Sequence, residues 1–171
     1  KLDDIFITHI HADHLDINFV KRLVNKFPDV RITSTSQVVE HLKEVGIIAS
    51  NDPPEGVEFF EAPHENVQPV FEQPENIGIH YLGLLTDPGD SHRFSETKSI
   101  LALPITAPWG GSIAAMNLVL ELKPKYVIPI HDWHWSTEAR EQTYSLFERM
   151  LGEKGITFYK AKTGESIDIH T

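Results

Sequence analysis

The stretch that most constrains this chain is THIHADHLD, residues 8–16, in which three histidines and two aspartates lie almost side by side. It directly follows residues 2–7, whose apolar and β-branched side chains are typical of a strand buried on both faces. His9 and His11 are two positions apart, so on an extended backbone they project to the same side. Two neutral imidazoles placed in this way can hold one metal ion. We therefore predict a metal centre at the end of this strand.

Other residues of the types that bind metals also follow predicted strands: His64, Asp90, His131 and, as an additional candidate, Asp87. Asp13 and His14 follow as the first motif turns, where they could face a second ion. Irregular segments after strands are where polar groups converge without being trapped in the core. An exposed polar loop rich in histidine is the alternative, and the spacing after a strand disfavours it. For Asp87 the alternative is a turn cap through its own backbone.

The motif T-H-x-H-x-D-H-x-D resembles the signature of the metallo-β-lactamase fold hydrolases, and later residues match that superfamily in order. EAPH at 61–64, PGDS at 88–91 and IPIH at 128–131 resemble its third metal histidine, its bridging aspartate and its last histidine. The resemblance implies an α/β fold, the metallo-β-lactamase-like αββα sandwich. It also implies a metal-dependent hydrolase, with zinc as the expected metal.

A narrower similarity lies in the second half of the chain. Leu103-Pro104 is followed by Gly110-Gly111, and then by KPKYVIPIH at 123–131. This order is most similar to the branch of ascorbate-6-phosphate lactonase-like hydrolases. It implies a lactonase-like activity on a small substrate that can carry a phosphate.

The superfamily resemblance also implies a centre with two divalent metal ions. It assigns His9, His11 and His64 to one ion. It assigns Asp13, His14 and His131 to the other ion, and Asp90 as the bridge between the two. Nitrogen and carboxylate ligands suit Zn²⁺ and do not exclude Mn²⁺, Fe²⁺ or Co²⁺. A histidine at position 11, where the di-iron electron-transfer relatives usually carry glutamate, favours a hydrolase.

Such a centre has a defined chemistry. Two metal ions about 3.5 to 4 Å apart lower the pKa of a shared water toward roughly 7 and supply hydroxide at neutral pH. We expect this hydroxide to attack a small ester, lactone or phosphoester while the ions stabilise the developing oxyanion. Asp13 and Asp90 are the residues expected to take part in catalysis, Asp13 as a proton acceptor as well as a ligand. The alternatives are a phosphodiesterase or nuclease on the same fold, and a non-catalytic metal-binding relative.

Three residues near the predicted ligands are candidates for binding the substrate. Trp109 precedes two glycines, and Trp133 follows His131 in the segment 132–135, so either tryptophan can line a pocket. Simple packing is the alternative for both. His92 lies two positions after Asp90, where it could support a metal ligand or contact the substrate. A solvent-exposed loop histidine is the alternative. His80 falls inside an apolar strand and is predicted to be structural.

The composition limits the remaining possibilities. A chain of 171 residues suits one domain with a real core. A net charge of −10 disfavours nucleic-acid and membrane partners, and the lack of cysteine leaves only nitrogen and oxygen as metal ligands. No apolar run approaches the roughly 20 residues that span a bilayer, and no signal-peptide pattern is present. We expect a cytoplasmic protein with a small-molecule substrate, and homo-oligomerisation is left open.

We predict a single metallo-β-lactamase-like domain over residues 1–171. Because the chain opens on Lys1, almost inside the first motif, the resemblance implies that N-terminal strands of the family precede it. Strands are predicted at 2–7, 30–33, 57–60, 77–86, 100–103, 126–130, 156–159 and 166–169. The segment 67–75 is predicted to be an edge strand or an irregular loop near the site.

Four amphipathic helices are predicted between these strands. Asp16 caps the first, which stops at Pro28, and a Ser34–Gln37 capping box begins the second, which Gly46 ends. The third carries Ile113, Met116 and Leu120 on its inner face and stops at Pro124. The fourth begins at Ser136 or Thr137, places Tyr144, Phe147 and Leu151 inward, and ends at Gly152. Strands alternating with helices indicate sheets covered by helices.

Overall fold

The computed structural model describes residues 1–70, 72–107, 109–160, 162 and 164–170. Strands and helices alternate through most of these ranges, as expected for helices that cover sheets. In chain order they are β1 Asp4–Ile7, α1 Ile17–Lys26, β2 Arg31–Ser34, α2 Ser36–Glu44, β3 Val57–Glu61, β4 Ile77–Tyr81, β5 Leu85–Asp87, β6 Ile100–Pro104, α3 Ser112–Leu122, β7 Tyr126–Ile130, α4 Thr137–Gly152 and β8 Thr157–Phe158.

The strands form two sheets. β1 and β2 pair in parallel, with Ile7 opposite Ser34 at the end of the ladder. The other six strands lie in the order β3-β4-β5-β6-β7-β8. The first three of them are antiparallel and the last four are parallel. Because parallel strands share one direction, the segments that follow β5, β6 and β7 all start from the same edge of this sheet.

Each sheet has its own apolar core. Val38 and Leu42 of α2 are fully buried with residues of α1, β1 and β2. Leu101 of β6 and Phe147 of α4 belong to a second cluster, which α3, α4 and the parallel strands of the larger sheet form together. Burying a side chain of this size contributes roughly 1.5–3 kcal/mol, so these clusters are the main source of stability.

The N-caps of α1 and α2 test the helix starts that were predicted from the sequence. Asp16 caps α1 by accepting a hydrogen bond from the Phe19 amide at 3.0 Å, as predicted. The prediction of a Ser34 cap for α2 was wrong, because Thr35 accepts from the Val38 amide there. The Ser34 hydroxyl instead donates to the Ile7 carbonyl at 2.6 Å, which ties β2 to β1. Two adjacent hydroxyl residues offer the same local signal, and pairing with β1 selects between them.

The long apolar run at 77–86 is a hairpin, and the prediction of one strand was wrong. β4 ends at Tyr81, and β5 runs back antiparallel from Leu85. Leu82 and Gly83 make the turn with φ values of 51° and 65°. A left-handed backbone conformation is rare for leucine, so Leu82 gives no sign of a turn in the sequence. Gly83 is the one residue of the turn whose type indicates it.

Other predicted elements also differ from the structure. The described residues between 166 and 169 form no strand, and Thr163 of the turn beside them lies outside the described residues. β1 is half-buried except at Ile7, so it is not buried on both faces. Ile113 of α3 is 73% exposed, because Ala115, Met116, Leu118 and Val119 form the buried face. In segment 67–75 the described residues are irregular, and Phe71 lies outside them.

No helix in the described ranges is both long enough and apolar enough to cross a bilayer.

Candidate metal centre

The predicted ligands come from loops that follow four different strands. His9, His11, Asp13 and His14 lie after β1, His64 after β3, Asp90 after β5 and His131 after β7. The structure brings all seven together. Among the residues that the structure describes, three groups have ligand atoms within 4.8 Å of one another: His9, His11 and His64; His9, His14 and Asp90; and Asp13, His14 and His131. The first and third groups have the membership predicted for two separate ions. Binding of those ions stays a prediction.

Asp90 lies between the two groups of histidines. Its Oδ1 is 3.1 Å from His14 Nε2, and its Oδ2 is 3.0 Å from His131 Nε2 and 3.6 Å from His64 Nε2. The Trp109 indole donates to Asp90 Oδ2 at 3.2 Å and so orients the carboxylate. Burial acts against the charge of Asp90, but His131 and His14 outweigh it and hold its pKa well below the usual range. A central, ionised carboxylate is what a bridging ligand requires.

His64 and His131 are both anchored through the ring nitrogen that faces away from Asp90. His64 Nδ1 lies 2.6 Å from the Glu65 carbonyl, and His131 Nδ1 lies 2.9 Å from the Thr106 carbonyl. A backbone carbonyl accepts only from a protonated nitrogen, so Nδ1 donates and a neutral ring has an unprotonated Nε2. Histidines that bind metals are commonly oriented by a hydrogen bond of this kind.

Thr8 performs the same task for two histidines of the first motif. Its hydroxyl lies 3.1 Å from His9 Nδ1 and 3.3 Å from His14 Nδ1. The loop before Asp90 packs against it, because a Cβ on Gly89 would lie 2.8 Å from Thr8 Cβ and 2.3 Å from Asn76 Oδ1. Gly89 also has φ 58°, which favours glycine. No role in the site was predicted for Thr8, Gly89 or Asn76. Gly89 could have been found from the sequence, because it directly precedes the predicted ligand Asp90.

Asn76 connects the loops that carry His64 and Asp90. Its side-chain amide donates to the Ala62 carbonyl at 2.6 Å and to the Pro88 carbonyl at 3.0 Å. Its Oδ1 accepts from the Asp90 amide at 3.3 Å. Nothing in the local sequence indicates this role, because every partner lies far from position 76 in the chain.

Asp87 is outside the three groups of candidate ligands found among the described residues. Its Oδ1 accepts from the Gly89 amide at 3.0 Å, so it caps the turn before Asp90. Burial raises the pKa of this carboxyl. Of the two roles considered for Asp87, metal ligand and turn cap, its contacts are those of the turn cap.

Several ligand atoms are buried with nothing to bond. Among the candidate ligands in the described ranges, four buried atoms have no hydrogen-bond partner: His9 Nε2, His64 Nε2, His131 Nε2 and Asp90 Oδ1. The short approaches to Asp90 are electrostatic contacts whose angles do not make hydrogen bonds. Each buried polar atom left in this way costs about 1–3 kcal/mol. Divalent cations are the partners that would satisfy nitrogen and carboxylate atoms together, so the donor set fits a metal centre.

The pKa values of two candidate histidine ligands favour metal binding, and that of a third does not. Burial, and after it the neighbouring His14, lowers the pKa of His9 to about 2. Burial and His64 lower the pKa of His11, whose ring lies 4.9 Å from that of His64. His131 differs, because burial is outweighed by the Asp90 carboxylate and its pKa rises to about 9. His9 and His11 are thus held in the neutral form that binds metals.

His131 has a backbone conformation that its neighbours hold in place. Its φ is 63°, a left-handed value that is uncommon outside glycine. The next residue, Asp132, is tied to α4: the Tyr144 hydroxyl donates to its Oδ2 at 2.5 Å and Arg140 Nε lies 2.7 Å from the same atom. Burial and the bond to Asp132 raise the pKa of Tyr144. The Asp132 side chain therefore faces α4.

The ligand cluster forms the floor of a cavity of about 490 Å³. It is lined by His11, Ala12, Asp13, His64, Val67, Asp90, Trp109, His131 and Trp133. Two of the three predicted substrate residues, Trp109 and Trp133, are thus in its wall. The third, His92, is not: its Nε2 lies 2.8 Å from the Pro104 carbonyl, and its ring packs 5.1 Å from that of Trp109. A larger groove of about 770 Å³ shares only His64 with the cluster.

Known proteins are similar to this chain in sequence or in structure. Protein Rv0786c of Mycobacterium tuberculosis is 26% identical over 176 residues, a match that covers 92% of this chain and 83% of that protein. A crystal structure of a protein named as a metal-dependent hydrolase, from Parabacteroides distasonis, has a TM-score of 0.66 at 20% identity and covers 93% of this chain and 76% of its own. Igni18, a metallo hydrolase from Ignicoccus hospitalis, has a TM-score of 0.70 at 16% identity, with 99% and 80% covered.

The two solved structures show the fold alone at these identities, and they agree with the predicted metallo-β-lactamase-like fold. The ascorbate-6-phosphate lactonase-like branch stays a prediction. A family model adds the family itself: the one described as the beta-lactamase superfamily domain matches residues 1–131, which is more than half of the chain. The chain therefore belongs to the beta-lactamase superfamily.

Proposed function

We propose that this protein is a metal-dependent hydrolase that cleaves a small ester, lactone or phosphoester. One observation carries the proposal: buried ligand atoms without hydrogen-bond partners converge at the floor of an open cavity. Membership of the superfamily and the likeness to structures named as metal-dependent hydrolases support it. Resemblance to the lactonase-like branch supports lactones among the substrates. A cytoplasmic location stays a prediction.

The donor set suggests which residues would hold two ions. His9, His11 and His64 would bind one, Asp13, His14 and His131 the other, and Asp90 both. Imidazole and carboxylate suit Zn²⁺, and Mn²⁺ or Fe²⁺ would also fit. When bound, two divalent ions would lower the pKa of a water molecule toward roughly 7 and polarise the substrate oxygen.

The chain's own residues supply orientation and proton transfer. Asp13 is the most accessible carboxylate of the cluster, with 35% of its side chain exposed, against 5% for Asp90. Its Oδ2 lies 3.4 Å from His131 Nε2 and faces the cavity. Asp13 can therefore accept the proton that the attacking water releases and pass it to the leaving group. Trp109 holds Asp90 in its orientation through the indole hydrogen bond.

Metal content and hydrolysis, measured on the same protein, test the proposal. We expect about two equivalents of a divalent metal per chain by elemental analysis, and turnover of p-nitrophenyl esters that stops on chelation. His64→Ala should lower the metal content and reduce kcat/KM by more than the roughly 10–100-fold typical of residues that only orient ligands. His41→Ala, on exposed α2 surface, is the matched control. A chain that holds no metal and takes up none on addition would overturn the proposal.

A further inference from the structure

The part of the cavity wall that does not belong to the ligand cluster is apolar. Four residues make it up: Ala12, Val67, Trp109 and Trp133. The other five lining residues are candidate ligands. A substrate whose scissile bond lies over the cluster must therefore place its remaining atoms against methyl groups and indole rings.

The same wall has no cationic residue. Among the described residues that line the cavity there is neither lysine nor arginine, and the residues outside the described ranges are phenylalanine, proline, alanine and threonine. Two arginines have other contacts: Arg140 pairs with Asp132, and Arg93 lines the larger groove. Phosphate groups are usually recognised by arginine or lysine. A phosphate held away from the scissile bond would find no partner on this wall.

The two tryptophans differ in their contacts and in their exposure. Trp109 is fixed, because its indole donates to Asp90 and the His92 ring packs on its edge. His92 is itself held by the Pro104 carbonyl. Trp133 is 67% exposed at the cavity mouth, although it is the residue type that gains most from being covered. An apolar group that enters the cavity would pack on the fixed ring and cover the exposed one.

We propose that the site takes uncharged carboxylic esters or lactones with an apolar substituent, which Val67, Trp109 and Trp133 hold. This inference rests on the proposed hydrolase function and narrows its substrate class. In the reaction the water oxygen bonds to the acyl carbon and the acyl C–O bond breaks. One water proton goes to the alcohol and the other to solvent, so the products are an alcohol and a carboxylate. The cavity volume of about 490 Å³ suits a small molecule.

A series of esters with one leaving group tests the substrate class. The metal-loaded full chain is assayed with p-nitrophenyl acetate, butyrate and hexanoate, and with p-nitrophenyl phosphate and bis(p-nitrophenyl) phosphate. Each methylene that becomes buried should raise kcat/KM by up to about fourfold. Trp133→Ala should reduce kcat/KM for hexanoate more than for acetate. Phe19→Ala, which removes an aromatic ring 50% exposed on α1, is the matched control and should leave the series unchanged.

Binding of an uncharged ketone separates this inference from the hydrolase proposal. Titration of 2-octanone should shift the tryptophan emission of the parent to shorter wavelength, and Trp133→Ala should lose most of that shift. Rates that do not rise with acyl length, or a preference for the phosphate esters, would overturn the substrate class and leave the hydrolase standing. Ketone binding at Trp133 without turnover of any ester would contradict the hydrolase but keep the apolar subsite. Absence of both would overturn both proposals.

Discussion

Two residues of the apolar core beside α3 and α4 are buried to the same extent as two histidines of the candidate metal centre. Leu101 and Phe147 are 0% and 1% exposed, and His9 and His64 are also 0% and 1% exposed. The consequences of that burial are opposite. An apolar side chain contributes roughly 1.5–3 kcal/mol when buried, whereas a buried polar atom without a partner costs about 1–3 kcal/mol. The core stabilises the fold by itself, and the centre needs a ligand to offset its cost.

The largest effect on metal content and activity is expected at Asp90, in the candidate metal centre. Asp90→Ala removes the carboxylate that lies 3.1 Å from His14 Nε2 and 3.0 Å from His131 Nε2. We expect the loss of at least one metal equivalent and a fall in kcat/KM of about a thousandfold or more, which is ~4 kcal/mol of transition-state stabilisation. Elemental analysis and ester hydrolysis measure the two effects. Asp29→Ala, at an exposed position, is the control, and equal metal content in both variants would contradict the assignment.

A cavity in the apolar core should lower the stability of the fold and leave its metal content unchanged. Phe147→Ala removes a ring that packs 5.6 Å from that of Phe158 and should lower the free energy of unfolding by roughly 3–4 kcal/mol. Because no ligand atom moves, the folded fraction should keep the parent's metal content. Chemical denaturation gives the stability, and Leu146→Ala, at a neighbouring position that is 38% exposed, is the control. Loss of metal from fully folded Phe147→Ala would show that the two regions are coupled.

Gly89 tests whether close packing keeps the centre in shape. In Gly89→Ala the new Cβ would meet Asn76 Oδ1 at 2.3 Å and Thr8 Cβ at 2.8 Å, so the residue that orients His9 and His14 must shift. We expect metal affinity to fall by about 10–100-fold, measured by competition with a chelator. Gly46→Ala is the matched control, because its φ of 79° is also left-handed but nothing lies within 4 Å. It should lose stability and keep the parent's metal affinity.

The smallest effect is expected at the contact between α4 and Asp132. Tyr144→Phe removes the hydroxyl that donates to Asp132, while Arg140 stays paired with the same carboxylate. His131 should then be held less firmly, and we expect kcat to fall by about tenfold, or ~1.4 kcal/mol, with little change in KM. Tyr159→Phe, at the residue after β8, is the control. A stability loss without any change in kcat would limit Tyr144 to a structural role.

Local sequence determined the parts of this molecule that depend on spacing along the chain. Asp16 and Ser136 cap their helices because an N-cap needs only an amide three positions away. The ligand types were visible for the same reason, since histidine and aspartate clustered directly after strands. Seven residues predicted from the motif and the family resemblance do converge, and the two groups of three have the predicted membership.

Contacts between distant segments were decided only in the tertiary structure. Asn76 and Gly89 shape the centre through partners that come from other loops. The glycine before Asp90 is visible in the sequence, but its close packing against Thr8 is not. Pairing of β4 with β5 turned one predicted strand into a hairpin. His92 supports Trp109 and does not line the cavity. Residue type and spacing are properties of the chain and can be read from it, whereas which buried atoms find partners depends on the packing of every segment around them.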